Sequence, residues 1–222
     1  MKIALVCPAS LPATQFGGIL FLCVDIAREL SKKGHQISIY TTDLDFANNA
    51  NTFSKNLPRI EKINQFYIKR SHVWIAFKLF FFNPSMFFQM RKDNFDIIHS
   101  IGVRSFQSFI AALIARQKNI PFVISDQGGL TTHPDIIMGK FINKLIYRLQ
   151  SPIIKFIINQ ATKIIVANEY EKNIFLEFTR EDKISIVKNG INLEDFNKPI
   201  VDFRKKYSIS EEYILFVGRF HT

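Results

Sequence analysis

Residues able to do chemistry gather at glycine-containing turns of this 222-residue chain. Gly17-Gly18 precedes Ile19, Leu22, Cys23, Ile26, Ala27 and Leu30, which recur at helical spacing. Paired glycines let a backbone come close to a ligand, and a helix N-terminus offers free N–H groups to an anion such as a diphosphate. The pair is neither the spaced three-glycine dinucleotide fingerprint nor a phosphate loop, which ends in Gly-Lys-Ser/Thr. Taken alone it is loop punctuation. His99 leads into Ser100-Ile101-Gly102, and Asp126-Gln127-Gly128-Gly129 follows another apolar run. His99 is either a ligand-facing group or a hydrogen-bonding partner of neighbouring loops. Asp43-Leu44-Asp45 sets two carboxylates two positions apart. Such a pair could hold a divalent cation, but a solvated loop is the expectation there.

The elements that must position these residues alternate between strand and helix. Ile3 to Cys7 is an unbroken apolar run, suited to a strand buried on both faces. Further strands are expected at Gln36 to Tyr40, Phe66 to Lys69, Asp96 to His99, Pro121 to Ser125, Lys163 to Ala167 and Ile184 to Val187. Helices are expected from Ile19 to Gly34, Ser105 to Lys118, Asp135 to Gln160 with Pro152 as a break, and Glu169 to Glu177 capped by Asn168. Residues 43–62 are polar and read as loop. The pattern predicts an α/β fold with a doubly wound, mostly parallel Rossmann-like sheet. All its strand-ending turns then lie along one edge, where ligands bind.

Two stretches stand apart. His72 to Lys92 holds Trp74 and six phenylalanines among basic residues, and Pro84 divides it into two short helical pieces. It reads either as a membrane-interface segment or as a buried helix pair. Lys140, Lys144, Arg148 and Lys155 form a basic stripe, which suits a solvated face as well as an anionic membrane.

The net charge of +10 and the pI near 9.6 favour an anionic partner: nucleic acid, an acidic membrane surface or a phosphorylated small molecule. Cys7 and Cys23 lack metal-ligand spacing and read as reduced packing residues of a cytoplasmic protein. The N-terminus has no signal-peptide layout, and no 18-residue window is apolar and uncharged. Near the C-terminus, Tyr213 to Val217 reads as a further buried strand ending in Gly218-Arg219-Phe220. The expected organisation is a domain over 1–196, a linker over 197–211, and the start of a second α/β domain over 212–222.

An ordered set of motifs now stands out. It comprises Lys2-Ile3-Ala4 with the Gly17-Gly18 loop, Phe95-Asp96-Ile97-Ile98-His99, and Lys163-Ile164-Ile165-Val166-Ala167. Asn189-Gly190-Ile191-Asn192 with Phe196, and Phe216-Val217-Gly218-Arg219, complete it. In order and separation this series resembles family 4 glycosyltransferases, retaining enzymes of the two-domain GT-B fold, over nearly the whole chain. The resemblance implies an N-terminal acceptor-side domain joined to a C-terminal domain that binds a nucleotide sugar. It implies that Gly17-Gly18 faces the donor diphosphate, that Asn189-Gly190 lies near the crossover between domains, and that Arg219 pairs with the diphosphate. His99 and Gly128 belong to the acceptor side or cleft.

The family often has a histidine before the glycine after the fifth strand; here that place is Gln127, in Ser125-Asp126-Gln127-Gly128. Glutamine hydrogen-bonds a sugar hydroxyl but is no base at neutral pH. Asp126 would orient the acceptor hydroxyl, which makes Asp126 and Gln127 the catalytic candidates, and His133 follows shortly after. The implied activity is of hexosyltransferase type, with a nucleotide sugar as substrate, no cofactor, no metal, and a glycan or lipid-linked acceptor. A peripheral place at the inner membrane face is expected, and these residues alone are expected to be inactive.

Two other readings compete. A nicotinamide-dependent dehydrogenase would need the three-glycine turn and an acidic residue ending the second strand, where Tyr40-Thr41-Thr42 stands. A basic, aromatic-rich module docking on membrane or nucleic acid without catalysis explains the charge but not the ordered α/β series, and no nucleic-acid-binding motif is present.

Overall fold

A computed structural model describes residues 1–45, 52–77, 80–128, 130, 141–190 and 202–216. Its strands are β1 (Lys2–Val6), β2 (Gln36–Thr42), β3 (Ile60–Ile63), β4 (Phe66–Ser71), β5 (Ile75–Phe77), β6 (Phe80–Phe82), β7 (Ile97–Ile101), β8 (Phe122–Ser125), β9 (Lys163–Val166) and β10 (Ile184–Ile186). Its helices are α1 (Gly18–Lys32), α2 (Ser85–Lys92), α3 (Phe106–Lys118), α4 (Phe141–Gln160), α5 (Glu169–Leu176) and α6 (Phe203–Tyr207).

Eight strands form one sheet in the order β10-β9-β8-β7-β1-β2-β4-β3. Every neighbouring pair is parallel except β3 with β4. From β1 the chain builds outward through β2 and β4, then returns to the other side of β1 as β7. The order reverses there, so the crevice at the C-terminal ends of β1 and β7 is the sheet's switch point.

Strand β1 shows why the apolar run was needed. Ile3 and Leu5 point into a core with Leu20, Cys23 and Ala27 of α1, while Ala4 and Val6 point into a second core with α2, α3 and α4. A strand covered on both faces has no position for a polar side chain, so alternation disappears. Each fully buried aliphatic side chain contributes about 1.5–3 kcal/mol.

The fold departs from the sequence-based expectations in four places. The segment 43–62 ends inside β3, an antiparallel edge strand whose residues are exposed or half-buried. The first piece of the aromatic segment is a β-hairpin, not a helix, pairing Ile75 with Phe82 and Phe77 with Phe80. The reason is the period: Phe81 is buried in the α1-side core, whereas Phe80 and Phe82 turn to Phe106 on the opposite side. Apolar residues pointing both ways mimic a helix that is apolar all round. Helix α4 runs through Pro152 without stopping. A proline inside a helix costs about 3 kcal/mol; the burial of Ile154, Ile157 and Ile158 offsets it. Finally, Tyr213–Phe216 form no strand and are exposed, and Val217 lies outside the described residues.

Residues 1–189 and 190–222 form two compact units. Within the second, α6 is capped by Asp202, whose carboxylate accepts from the Lys205 N–H at 3.1 Å, and Arg204 lies over the Tyr213 ring.

Candidate functional site

Because the sheet is parallel, the loops after β1, β2, β4, β7, β8, β9 and β10 share one edge. The loop after β1 ends at Gly17, whose φ of 113° suits glycine and would strain any other residue. Gly17 is the N-cap of α1, and no side chain caps that helix. The Leu20 N–H already bonds the Gly17 carbonyl at 3.1 Å, and the N–H groups before it are the ones that suit an outside acceptor. Gly18 is exposed, and a Cβ added there would meet no atom within 4 Å. Packing within the chain does not require glycine at 18, whereas the backbone of Gly17 does at 17.

His99 lies inside β7, two residues before its end, rather than at a strand terminus. Its Nε2 pairs with Ser125 Oγ of β8 at 2.7 Å. Desolvation lowers its pKa to about 4, so the ring is neutral at neutral pH. Of the two roles open to it, this geometry favours a neutral hydrogen bond between strands.

Asp126 follows β8 directly and is buried. Its Oδ1 accepts from the Val103 N–H at 3.3 Å, and its Oδ2 from the Leu130 N–H at 3.0 Å. The carboxylate thus ties the turn after β7 to the turn after β8. Burial pushes its pKa up to about 6; the Glu171 charge adds to the rise, and the backbone N–H bonds oppose it. Gln127 and Gly128, the next two residues, are half-buried, and Gly128 has φ 77°. Gln127 Oε1 accepts from Asn189 Nδ2 at 2.6 Å. Fold closure therefore brings together two predicted site residues that lie 62 positions apart. Gly190 is exposed. Arg219 and His133 lie outside the described residues.

Two groups escaped the sequence reading, Glu171 and Arg70, and a third, Asp43, lies elsewhere than expected. Glu171 is buried near Asp126, and its Oε2 accepts from the Ala167 N–H at 2.8 Å while its own N–H donates to Asn168 Oδ1. The spacing Asn168-x-x-Glu171 is a helix-start signature and could have flagged it. Asp43 is not in a solvated loop: it is fully buried, pairs with His72 Nδ1 at 2.6 Å and Arg59 at 3.4 Å, and accepts from the Val73 N–H. Arg70, also buried, reaches Glu61 at 2.5 Å and the carbonyls of Leu11 and Pro58. No local pattern announces either cluster, since their partners come from separate strands. Among the described residues no group of three or more His, Cys, Asp or Glu could hold a metal ion.

The exposed face of the hairpin carries Trp74, Ile75 and Phe77, exposed by 66%, 62% and 59%. Of the basic stripe on α4, Arg148 and Lys155 are exposed, and Lys140 lies outside the described residues. No helix among the described residues is long and apolar enough to cross a membrane.

Comparison with known proteins agrees with this geometry. The model of Glycosyltransferase Family 4 matches residues 16–195. An uncharacterized glycosyltransferase of Methanocaldococcus jannaschii is 24% identical over 234 aligned positions, covering 99% of this chain and 55% of that protein. The chain thus spans about half the length of the curated relative it matches. Among solved structures, Anabaena HepE in complex with UDP superposes with TM-score 0.57 at 13% identity, over 95% of this chain and 50% of HepE. The catalytic domain of Arabidopsis thaliana starch synthase IV, bound to ADP and acarbose, gives 0.52 at 12% identity, over 91% of this chain and 54% of that one. At such identities these structures share the fold.

Proposed function

Because the chain belongs to glycosyltransferase family 4, we propose that it is the acceptor-side half of an enzyme that moves a sugar from a nucleotide sugar to an acceptor with retention. The geometry that carries this reading is the uncapped N-terminus of α1 opening beside the switch point, with free space at Gly18. The leaving group is a nucleoside diphosphate. Its developing charge is met by the first N–H groups of α1, and the family resemblance supplies Arg219 as a further diphosphate partner, a role that suits a guanidinium.

Little side-chain chemistry is asked of this half. Asp126 holds the turns after β7 and β8 in place, and the Gln127 amide, steadied by Asn189, faces an acceptor hydroxyl as donor or acceptor. The leaving phosphate helps to take the hydroxyl proton. The nucleotide sugar is a substrate, and the reading invokes neither a resident cofactor nor a metal. The acceptor is a glycan or lipid-linked molecule, met at the inner membrane face through the exposed aromatics of the hairpin. Flotation with anionic vesicles at low salt tests the membrane part; protein left at the bottom of the gradient removes it.

The deciding experiment screens UDP-, GDP- and ADP-sugars for donor hydrolysis. It compares the protein made from the complete reading frame with residues 1–222 alone. Turnover of one donor by the complete protein, and none by 1–222, is expected. No turnover of any donor by folded complete protein overturns the reading.

A further inference from the structure

The β5–β6 hairpin, the start of α3 and the middle of α4 line a half-open pocket of about 150 Å³. Phe80 and Phe82 line it from the hairpin, Phe106 and Phe109 from α3, and Ile153 and Ile157 from α4. Arg104 and Gln150 close one side, hydrogen-bonded to each other at 3.0 Å. A dry apolar cavity of roughly 150 Å³ takes a benzene-sized group.

Its neighbours on both sides suggest what enters. Val103 lines the pocket, and its backbone N–H is one of the donors to Asp126, so pocket and candidate site share a residue. On the hairpin side, pocket-lining Phe82 meets the exposed Trp74 ring edge-on, with centroids 6.5 Å apart. Ile75 and Phe77 extend this exposed apolar strip. An apolar strip therefore leads from the pocket to an exposed aromatic surface, and the pocket backs onto the turn that Asp126 holds.

We propose that this pocket binds the first isoprene unit of a prenyl-phosphate-linked acceptor, an inference that rests on the transferase reading. A branched five-carbon unit has nearly the bulk of a benzene ring and fills the space. A straight alkyl chain is thinner and leaves part of the wall without contacts, which forfeits dispersion energy. The rest of the chain continues over Trp74, Ile75 and Phe77. The phosphate link suits a chain of net charge +10, with Arg104 beside the pocket.

The test is calorimetric titration of the 222-residue chain with geranyl phosphate, with decyl phosphate of equal carbon number, and with inorganic phosphate. Geranyl phosphate is expected to bind about tenfold more tightly than decyl phosphate, with inorganic phosphate far weaker than either. Ile153→Glu puts a charge at the pocket wall where the side chain is 42% exposed, so the fold is kept. It is expected to weaken geranyl phosphate at least about tenfold. No saturable binding of geranyl phosphate, or binding unchanged in Ile153→Glu, overturns the site. Decyl phosphate binding as tightly overturns the prenyl assignment. Donor turnover by the complete protein is a separate readout: turnover without prenyl binding sinks the pocket alone, whereas prenyl binding without turnover of any donor sinks the acceptor role.

Discussion

At the end of β2 the Asp43 carboxylate is buried between the His72 ring and the Arg59 guanidinium, whereas at the end of β8 the Asp126 carboxylate is buried among backbone N–H groups. Arg70, buried on the same side as Asp43, likewise meets the carboxylate of Glu61. Asp126 has no such partner: burial, with the like charge of Glu171 adding to it, raises its pKa to about 6. A buried charge with a partner fastens two elements together; removing one partner leaves the other stranded. A buried acid with a shifted pKa beside a switch point is what functional sites contain. The β2–β4 side of the edge is thus fastened by ion pairs, and the β7–β8 side by backbone N–H bonds to a single carboxylate.

Four measurements would break or sharpen that contrast, starting with the largest expected effect. Arg70→Ala leaves the carbonyls of Leu11 and Pro58 without their donor, while the half-exposed Glu61 is met by water, and is expected to cost about 3 kcal/mol of stability. Chemical denaturation reads this, and a loss below 1 kcal/mol would mean the β2–β4 side is not held by its buried charge. Asp126→Ala releases the turns after β7 and β8. Misplacing groups at a reaction centre costs about a hundredfold, so donor turnover by the complete protein should fall by that factor; unchanged turnover removes Asp126 from the site.

The third measurement uses pH. A carboxyl raised from its ordinary value to about 6 binds its proton better in the folded state, so its contribution falls as pH rises from about 4 to 6. A histidine lowered to about 4 binds its proton worse when folded, so its contribution grows over nearly the same window. At about 1.4 kcal/mol per pKa unit the two terms are of similar size and opposite sign. The wild-type unfolding free energy should therefore change little between pH 4 and 6 on their account. His99→Gln should expose the Asp126 slope, with stability falling as pH rises; a stability that rises instead contradicts it. The smallest expected effect comes from Gln127→Ala, which loses one hydrogen bond to Asn189. About 1 kcal/mol of stability is at stake, so a thermal melt should shift by only a few degrees while donor turnover drops more.

The parallel strands and their glycine turns were legible because burial on both faces leaves its mark on every residue of a strand. Ile3 to Cys7 had to be apolar, whatever its neighbours were. The β5–β6 hairpin was not legible: its phenylalanines alternate between two cores, and a sequence carries no label for which core a ring enters. β3 was hidden for the opposite reason, since an edge strand with exposed or half-buried residues has no apolar signature.

At the candidate site the sequence by itself determined which residues stand at the sheet's C-terminal edge: Gly17, Gly18, Asp126, Gln127, Gly128 and Asn189 all follow from strand ends and turn chemistry. It could not determine what each one does there. Hydrogen-bond partners such as Gln127 with Asn189, or Asp126 with Val103, join turns that are far apart along the chain. Burial sets the pKa of Asp126 and His99, and burial is a property of the surrounding elements rather than of the residue. Local sequence fixes where the chain turns; tertiary packing fixes which groups lose water and whom they meet.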